Sequence, residues 1–260
     1  MHTWDPERYL SFDDERGRPF VELLRRIEVA DPREVVDLGC GAGNLTRLLA
    51  QRWPSAHVLG IDSSPEMIDR ARAVPGVEAR MQDVREWTRK APPSSADVDV
   101  LVCNAALQWL PDHLDLLPAM TQRVVPGGWL AFSVPANFDE PSHTIRAELA
   151  VEPAYAEYTT DLPRPRSHDP HTYLRALHSL GCAVDAWETT YLHVLRGQDP
   201  VFDWVSGTGA RPTLQALPDD LRQRFETAFK DRLRQAYPDE GHGVVLPFHR
   251  VFVVAQTASR

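Results

Sequence analysis

The sequence has no long apolar run, and its first residues do not form a basic segment followed by an apolar one. A helix that spans a bilayer needs about 20 consecutive apolar residues. A secretory leader begins with positive charge and continues into an apolar stretch, whereas this chain begins Met1-His2-Thr3-Trp4-Asp5-Pro6. We therefore expect a cytoplasmic protein without a membrane partner.

Patterns for metal binding and for disulfides are also missing. The three cysteines, Cys40, Cys103 and Cys182, form no Cys-x-x-Cys pair, and the ten histidines include no His-Glu-x-x-His. Those spacings are typical of thiolate zinc sites, disulfide frameworks and zinc hydrolases. We expect no metal, and we expect the cysteines to pack as small buried apolar side chains.

Positive charge is scarce, since 28 lysines and arginines face 37 aspartates and glutamates and the formal net charge is −9. Nucleic-acid binding depends on lysine and arginine contacts to phosphate, so we expect no nucleic-acid partner. An anionic substrate would need a local basic pocket against this overall field. No spacing resembles a Ser-His-Asp or Cys-His nucleophile system.

The most informative stretch present is Val35-Val36-Asp37-Leu38-Gly39-Cys40-Gly41-Ala42-Gly43-Asn44-Leu45. The apolar run that ends in an acid predicts a buried strand. The three glycines predict a tight turn whose backbone can approach a ligand closely. A helical pattern begins at Asn44, and the free N–H groups of that helix would face the turn. This combination predicts a site for a nucleotide-sized ligand.

An acid at the end of the next predicted strand supports a nucleotide site. Asp62 follows His57–Ile61, and a carboxylate there can bind both hydroxyls of a ribose. We do not expect Asp62 to act mainly as a helix cap, because Ser64 before Pro65 is a better one. The glycine spacing differs from the dinucleotide fingerprint, since one residue and not two separates Gly41 from Gly43.

Strands alternate with helices along the chain and predict an α/β fold with a parallel sheet. Ligands bind such sheets at the carboxyl ends of the strands, where Gly39, Gly41, Asp62, Asp83 and Asn104 lie. We expect an N-terminal helical segment at 1–33 and a nucleotide-binding core at 34–135. An insertion plus a helix would follow at 136–182, and the last strands at 183–260 would carry a helical cap at 196–247.

These features resemble the class I S-adenosylmethionine-dependent methyltransferases over roughly residues 34–135 and the last strands. The resemblance implies a three-layer Rossmann-like fold whose seven-stranded, mostly parallel sheet carries a helical cap. It implies S-adenosylmethionine as cofactor and S-adenosylhomocysteine as product, with the glycine loop at the methionine part, Asp62 at the ribose and Asp83 at the adenine. The expected cofactor-binding residues are Asp37, Gly39, Gly41, Asn44, Asp62, Met67, Asp83, Asn104 and Tyr9. Two alternatives remain open: Asp83 could only cap the following turn, and Met67 could belong to the helix core.

Shorter segments at 4–9, 14–19, 104–109, 207–212 and 247–252 resemble methyltransferases that act on trans-aconitate. This resemblance implies methyl transfer to one carboxylate of that small anionic tricarboxylate, which yields the monomethyl ester. Arginine suits carboxylate recognition, and the expected substrate-binding residues are Arg211, Arg146, Arg250 and Trp204. Further candidates are Arg164, Arg166, His143, His168 and Tyr191.

No catalytic base is expected, because a carboxylate with a pKa of roughly 4 is already ionised at neutral pH. Three other functions remain open at this point. One is a methyltransferase with another small acceptor, since the glycine loop and Asp62 indicate the donor only. A second is an NAD-dependent oxidoreductase, which Asp62 would serve equally well although the glycine spacing disfavours it. The third is a non-catalytic S-adenosylmethionine-binding regulator.

Overall fold

The computed structural model describes residues 17–89 and 98–259. Tyr9 and the segment 4–9 lie outside these ranges. None of the helices within them has the length and apolar character needed to cross a membrane. The elements in chain order are α1 Arg18–Arg25, β1 Glu34–Leu38, α2 Thr46–Arg52, β2 His57–Asp62, α3 Pro65–Ala71, β3 Glu78–Met81, α4 Val84–Arg89, β4 Val98–Asn104, a 3₁₀ turn Leu107–Trp109, α5 His113–Arg123, β5 Val124–Pro135, α6 Pro141–Ala150, α7 Ala156–Thr159, α8 Pro170–His178, β6 Ala183–Leu195, α9 Pro200–Ser206, α10 Arg211–Ala216, α11 Asp219–Ala236 and β7 Val244–Gln256.

The strands form one seven-stranded sheet in the order β3-β2-β1-β4-β5-β7-β6. The pairs β3-β2, β2-β1, β1-β4 and β4-β5 are parallel. Strands β2 and β3 extend to one side of β1, and β4 pairs with its other side. The strand order therefore reverses at β1 and β4, and the carboxyl ends of these two neighbours form a crevice. The predicted fold class, a Rossmann-like, mostly parallel seven-stranded sheet with helices, is confirmed.

Burial explains why β1 and β4 form the centre of the sheet. Consecutive residues of β1, from Val35 to Leu38, are all buried, and so are Val100 to Cys103 of β4. Neighbouring residues on a strand point to opposite faces, so both faces of the sheet are covered here. Each such aliphatic side chain contributes about 1.5–3 kcal/mol to folding when it leaves water. Cys40, Cys103 and Cys182 are buried and unpaired, as predicted.

One strand differs from the pattern in the sequence. We predicted a turn at Pro126-Gly127-Gly128 and a strand from Trp129, but β5 begins at Val124. Val124 lies opposite Val98 and Trp129 lies opposite Val100, so the intervening residues form a bulge within the strand. A bulge accommodates turn-forming residues without ending the pairing, which is why the turn signal misplaced the start of the strand.

The described residues form two compact units. The first contains the chain up to Val134, Ser167–Glu188 and the residues from Val251 onward, and the second contains Pro135–Arg166 and Thr189–Arg250. The second unit has a hydrophobic core of its own, in which Phe225, Phe229 and Leu246 are almost fully buried. Its helices α9, α10 and α11 occupy most of the segment for which we predicted a helical cap.

Candidate active site

The glycine turn follows β1 directly and is tied to the end of β2. The backbone N–H groups of Gly39 and Cys40 both donate to the carbonyl oxygen of Ile61, at 2.7 and 3.0 Å. Gly39 has a φ of +78°, and a Cβ atom there would lie 2.4 Å from the Cβ of Ala106. Both the positive φ and the close approach demand glycine at this position.

Gly41 occupies the same turn for a different reason. Its φ is +56°, and a Cβ atom there would meet nothing within 4 Å. The space beside it belongs to a cavity of about 410 Å³, within the usual range for ligand sites. Five of the predicted cofactor-binding residues line this one cavity: Asp37, Gly39, Gly41, Asn44 and Asn104.

Asp62 connects the glycine turn to the start of α3. Its Oδ2 accepts a hydrogen bond from the Gly41 N–H at 3.0 Å, and its Oδ1 accepts one from the Ser64 N–H at 2.9 Å. A carboxylate has about four acceptor positions, so these two bonds leave acceptor capacity for further donors such as hydroxyl groups. The cap of α3 is Ser64, whose Oγ accepts from the Met67 N–H at 3.3 Å, as predicted.

Asp37 is a buried acid at the bottom of the cavity. The Thr46 hydroxyl donates to its Oδ2 at 2.6 Å. Burial raises the pKa of Asp37 to about 6; the Thr46 hydrogen bond opposes this shift and the charge of Asp62 adds to it. An ionised carboxylate in such surroundings gains from any positively charged group placed beside it.

Asn104 ends β4 and lies across the crevice from the glycine turn. Its Oδ1 accepts a hydrogen bond from the Ser133 hydroxyl at 2.6 Å, which fixes the orientation of the amide. The next residue, Ala105, has a φ of +55° and is the only non-glycine residue with positive φ in the described part of the chain. The chain therefore turns sharply at this edge of the cavity.

Asp62, Met67 and Asp83 are not among the residues that line this cavity. Met67 lies in the first turn of α3, and Asp83 is exposed just before α4. The Asp83 Oδ1 accepts from the backbone N–H groups of Arg85 and Glu86, at 2.8 and 3.1 Å, so Asp83 is a helix cap. A cofactor contact by Asp83 or Met67 stays a prediction, and Tyr9 lies outside the described residues.

The second unit contains the predicted substrate-binding residues, and these fall into separate places. Arg146 of α6 donates from Nη1 to the Oγ1 of Thr213 at 2.9 Å, and both residues line a cavity of about 220 Å³ together with His143 and Arg164. Arg211 is exposed at the start of α10 and does not line that cavity. Sequence spacing gave no indication that Thr213 would be the partner of Arg146.

Arg250 and Trp204 belong to an aromatic cluster in the second unit. The Arg250 guanidinium lies 5.7 Å from the centre of the Phe248 ring, and the Trp204 ring lies 6.1 Å from the same ring. His193 packs between Trp204 and the predicted candidate Tyr191, at 4.7 and 6.2 Å. Burial lowers the pKa of Arg250 to about 10, and Tyr191 opposes that shift.

The last two candidates have other surroundings. Arg166 is exposed. The ring of His168 packs edge-on against the rings of His113 and Tyr173 in the first unit, at 5.2 and 5.7 Å. Neither residue lines one of the two cavities described above.

Comparison with known proteins identifies the family. Residues 9–186 match a family model described as "Methyltransferase domain". A trans-aconitate 2-methyltransferase from Streptomyces avermitilis is 48% identical over 97% of this chain and 96% of its own length. The chain belongs to the trans-aconitate 2-methyltransferase family. A second member, from Rhodococcus jostii, is also 48% identical, over 97% of this chain and 99% of its own length.

Solved structures with the same fold are also methyltransferases. A putative methyltransferase from Bacillus halodurans superposes with a TM-score of 0.58 at 14% identity, over 94% of this chain and all of its own. The geranyl diphosphate C-methyltransferase of Streptomyces coelicolor, solved with Mg²⁺, geranyl diphosphate and S-adenosyl-L-homocysteine, gives 0.52 at 18% identity, over 93% of this chain and 79% of its own. Identities this low establish the shared fold and not a shared substrate.

Proposed function

We infer that the protein transfers a methyl group from S-adenosylmethionine to a carboxylate of trans-aconitate and releases the monomethyl ester. The observation that carries this inference is the near 50% identity, over almost the whole chain, to proteins named for that reaction. The cavity beside the glycine turn supports it, because its chemistry suits the donor. A cytoplasmic location and the absence of nucleic-acid, membrane and metal partners stay predictions from composition.

The donor cavity fits a positively charged ligand. The described residues that line it include Asp37 but no lysine or arginine. We propose that Asp62 accepts the ribose hydroxyls, that Gly41 leaves room for the ligand and that Asp37 faces its cationic part. The bound donor supplies a methyl group on a positively charged sulfur. Asn104, across the crevice, and Asn44, directly after the glycine turn, are the proposed polar contacts.

The residues present suit a reaction without a general base or a protein nucleophile. Cys40 lines the cavity, but burial together with the charges of Asp37 and Asp62 raises its pKa to about 12. A thiol with that pKa is protonated at neutral pH and is a poor nucleophile. The acceptor carboxylate is already ionised, so alignment is the main task of the protein. Holding two reactants in line can supply about 7–11 kcal/mol.

The acceptor needs cationic partners for the carboxylates that do not react. A guanidinium bonded to the attacking oxygen would withdraw electron density from it, so the arginines should bind the other carboxylates. Arg146, Arg211 and Arg250, with Trp204, are the predicted substrate-binding residues. Of these, Arg146 has the surroundings that such a role requires.

A panel of acceptors tests the proposed function. The protein would be incubated with methyl-labelled S-adenosylmethionine and with trans-aconitate, other di- and tricarboxylic acids, alcohols and amines. We expect base-labile methyl ester formed fastest from trans-aconitate. Transfer to a neutral alcohol or to nitrogen, with none to the acids, would overturn the acceptor. Tight binding of NADH, with no binding of S-adenosylhomocysteine, would overturn the donor.

A further inference from the structure

A small cavity in the second unit has the composition of an anion site. It lies between α6, the segment that follows α7 and the start of α10, and it has a volume of about 220 Å³. Its polar lining includes Arg146, Arg164, His143, Thr144 and Thr213, and no aspartate or glutamate of the described residues lines it. The chain as a whole has a net charge of −9, so this positive charge is confined to the cavity lining and is opposite in sign to the net charge.

Arg146 lacks an acidic partner at this position. Its Nη1 donates to the Thr213 hydroxyl at 2.9 Å, while its Nε is buried and has no hydrogen-bond partner among the described residues. Burial lowers the pKa of Arg146, and the nearby charge of Arg164 lowers it further. A half-buried charge without an acidic partner is costly, so a carboxylate that enters the cavity would stabilise the charged form of Arg146.

Thr213 gives Arg146 a fixed position and contributes to the same donor set. It is 1% exposed, and its Oγ1 accepts the Arg146 hydrogen bond. A threonine hydroxyl carries one proton in addition to its two lone pairs. Because Arg146 uses a lone pair, the hydroxyl can still donate to a ligand oxygen. A valine of the same shape would lose both functions.

The ring of His143 in α6 lies close to Gly209, in the chain that leads into α10. A Cβ atom at Gly209 would lie 3.2 Å from the Cε1 of His143, so any larger residue would push the ring. Burial, with the charge of Arg146 as the next cause, lowers the pKa of His143 to about 4. His143 is therefore neutral at physiological pH, and the formal charge of the cavity lining is +2, from Arg146 and Arg164.

We propose that this cavity binds two carboxylates of a tricarboxylate, one for each of Arg146 and Arg164, and thereby selects the third as the methyl acceptor. This proposal rests on the proposed function, because it names the acceptor subsite of that reaction. Two positive charges are neutralised by two carboxylates, and the third keeps the electron density that attack on a methyl group requires. Two carboxylates are needed to occupy both arginines, so monocarboxylates should bind more weakly than di- and tricarboxylates.

Binding measured without turnover tests the proposal directly. Trans-aconitate would be titrated calorimetrically into the full-length protein saturated with S-adenosylhomocysteine. Loss of a charge-assisted hydrogen bond predicts that Arg146→Gln weakens binding by about 10- to 100-fold. Arg164→Gln should weaken it by about 3- to 10-fold, because Arg164 is more exposed. Arg222→Gln, an arginine of α11 in the same unit that pairs with Asp219, is the matched control and should change nothing.

Steady-state kinetics and conservative variants exclude a merely structural effect. Arg146→Gln should raise the KM for trans-aconitate and leave kcat nearly unchanged, because the arginine holds the carboxylates that do not react. Thr213→Val should weaken binding by about 3- to 10-fold, and Thr213→Ser should restore it. The melting temperature reports whether each variant is folded.

The possible failures are distinguishable. If wild-type protein methylates trans-aconitate and folded Arg146→Gln binds it as tightly as wild type, this proposal is wrong while the proposed function stands. Should Arg146→Gln not fold, an unchanged affinity in Thr213→Val and Arg164→Gln would overturn the proposal in its place. If wild-type protein methylates none of the acids, the proposed function fails, whatever the titration shows.

Discussion

The two cavities of this protein use opposite chemistry. The first is lined by backbone of a glycine turn, by buried Asp37 and by asparagine side chains, and no described lysine or arginine reaches it. The second is lined by two arginines, a neutral histidine and threonines, and no described acid reaches it. The first suits a cation and the second suits anions. A reaction between a sulfonium and a carboxylate requires this pair of preferences in one protein.

The cavities also differ in how the chain builds them. Most of the first comes from the consecutive residues 37–45, together with Asn104. The second collects residues from 138–151, 159–165 and position 213. A contiguous turn is specified by local backbone conformation, whereas the second cavity exists only when three distant segments pack. Substitutions in the first should therefore change donor affinity and leave acceptor affinity alone, and the reverse should hold for the second.

The largest effect is expected from Asp62→Ala. The substitution removes the acceptor for the Gly41 and Ser64 N–H groups and the proposed acceptor for the ribose hydroxyls. The two proposed hydrogen bonds from the ribose hydroxyls to the carboxylate are worth roughly 1.5–3 kcal/mol each. Their loss predicts a loss of at least about 100-fold in S-adenosylhomocysteine affinity. Calorimetric titration of the ligand measures it.

The control for Asp62 is Asp69→Ala, which removes an exposed acid of α3 that pairs with Arg72. It should leave donor affinity unchanged. Equal losses from Asp62→Ala and Asp69→Ala would mean that net charge, and not the carboxylate beside the glycine turn, determines donor binding. That outcome would remove the contrast between the two cavities.

Asp37→Asn should raise the free energy of unfolding and lower the affinity for the donor. Burial raises the Asp37 pKa from its ordinary value of 3.8 to about 6. Between these two pH values Asp37 is protonated in the folded state and ionised in the unfolded state. Stability therefore falls as the pH rises through about 6, by up to roughly 3 kcal/mol. Asparagine avoids this cost and can still accept the Thr46 hydrogen bond. At pH 8 the variant should be more stable than wild type and bind the donor about tenfold more weakly.

Lowering the pH distinguishes charge from shape in that prediction. At pH 5 the wild-type Asp37 carboxyl is mostly protonated, so both differences between wild type and Asp37→Asn should shrink. Urea unfolding and donor titration at pH 5 and pH 8 provide the comparison. If the gap in donor affinity were equally wide at both pH values, Asp37 would act through its shape and not through its charge.

The cavity beside the glycine turn could be predicted from the sequence because its causes are local. A positive φ at Gly39 and Gly41, an acid that ends β1 and an acid that ends β2 all leave a signature within 26 residues. The parallel sheet could be predicted for the same reason, since alternation of strands and helices specifies parallel pairing. The position of β5 was missed, because a bulge and a turn use the same residue types.

The cavity around Arg146 could not be predicted to the same depth. We ranked Arg211 beside Arg146 because Arg211 lies in the Gly207–Pro212 segment, but Arg211 is exposed and outside the cavity. What that segment supplies is Gly209 against His143, with Thr213 just beyond it against Arg146. Contacts between residues 60 or more positions apart depend on packing and leave no periodicity. Asp83 shows the same limit locally, because a helix cap and an adenine contact require the same residue type.

The smallest effect is expected at the opposite ends of the same strands. His57, at the start of β2, bonds Glu34 of β1 through Nδ1 at 2.7 Å and Glu78 of β3 through Nε2 at 2.8 Å, and the Glu34 and Glu78 bonds raise its pKa. Its stabilisation is fully present below the unfolded pKa near 6.5 and is lost as the pH rises through the higher folded value. Since the ring is half exposed, His57→Gln should cost less than about 1 kcal/mol in urea unfolding at pH 6 and almost nothing at pH 9.

His178→Gln, at an exposed position of α8, is the control. Donor affinity should not change in either variant, because the proposed donor cavity lies at the carboxyl ends of the strands. A change in His57→Gln would mean that the two ends of the sheet are coupled.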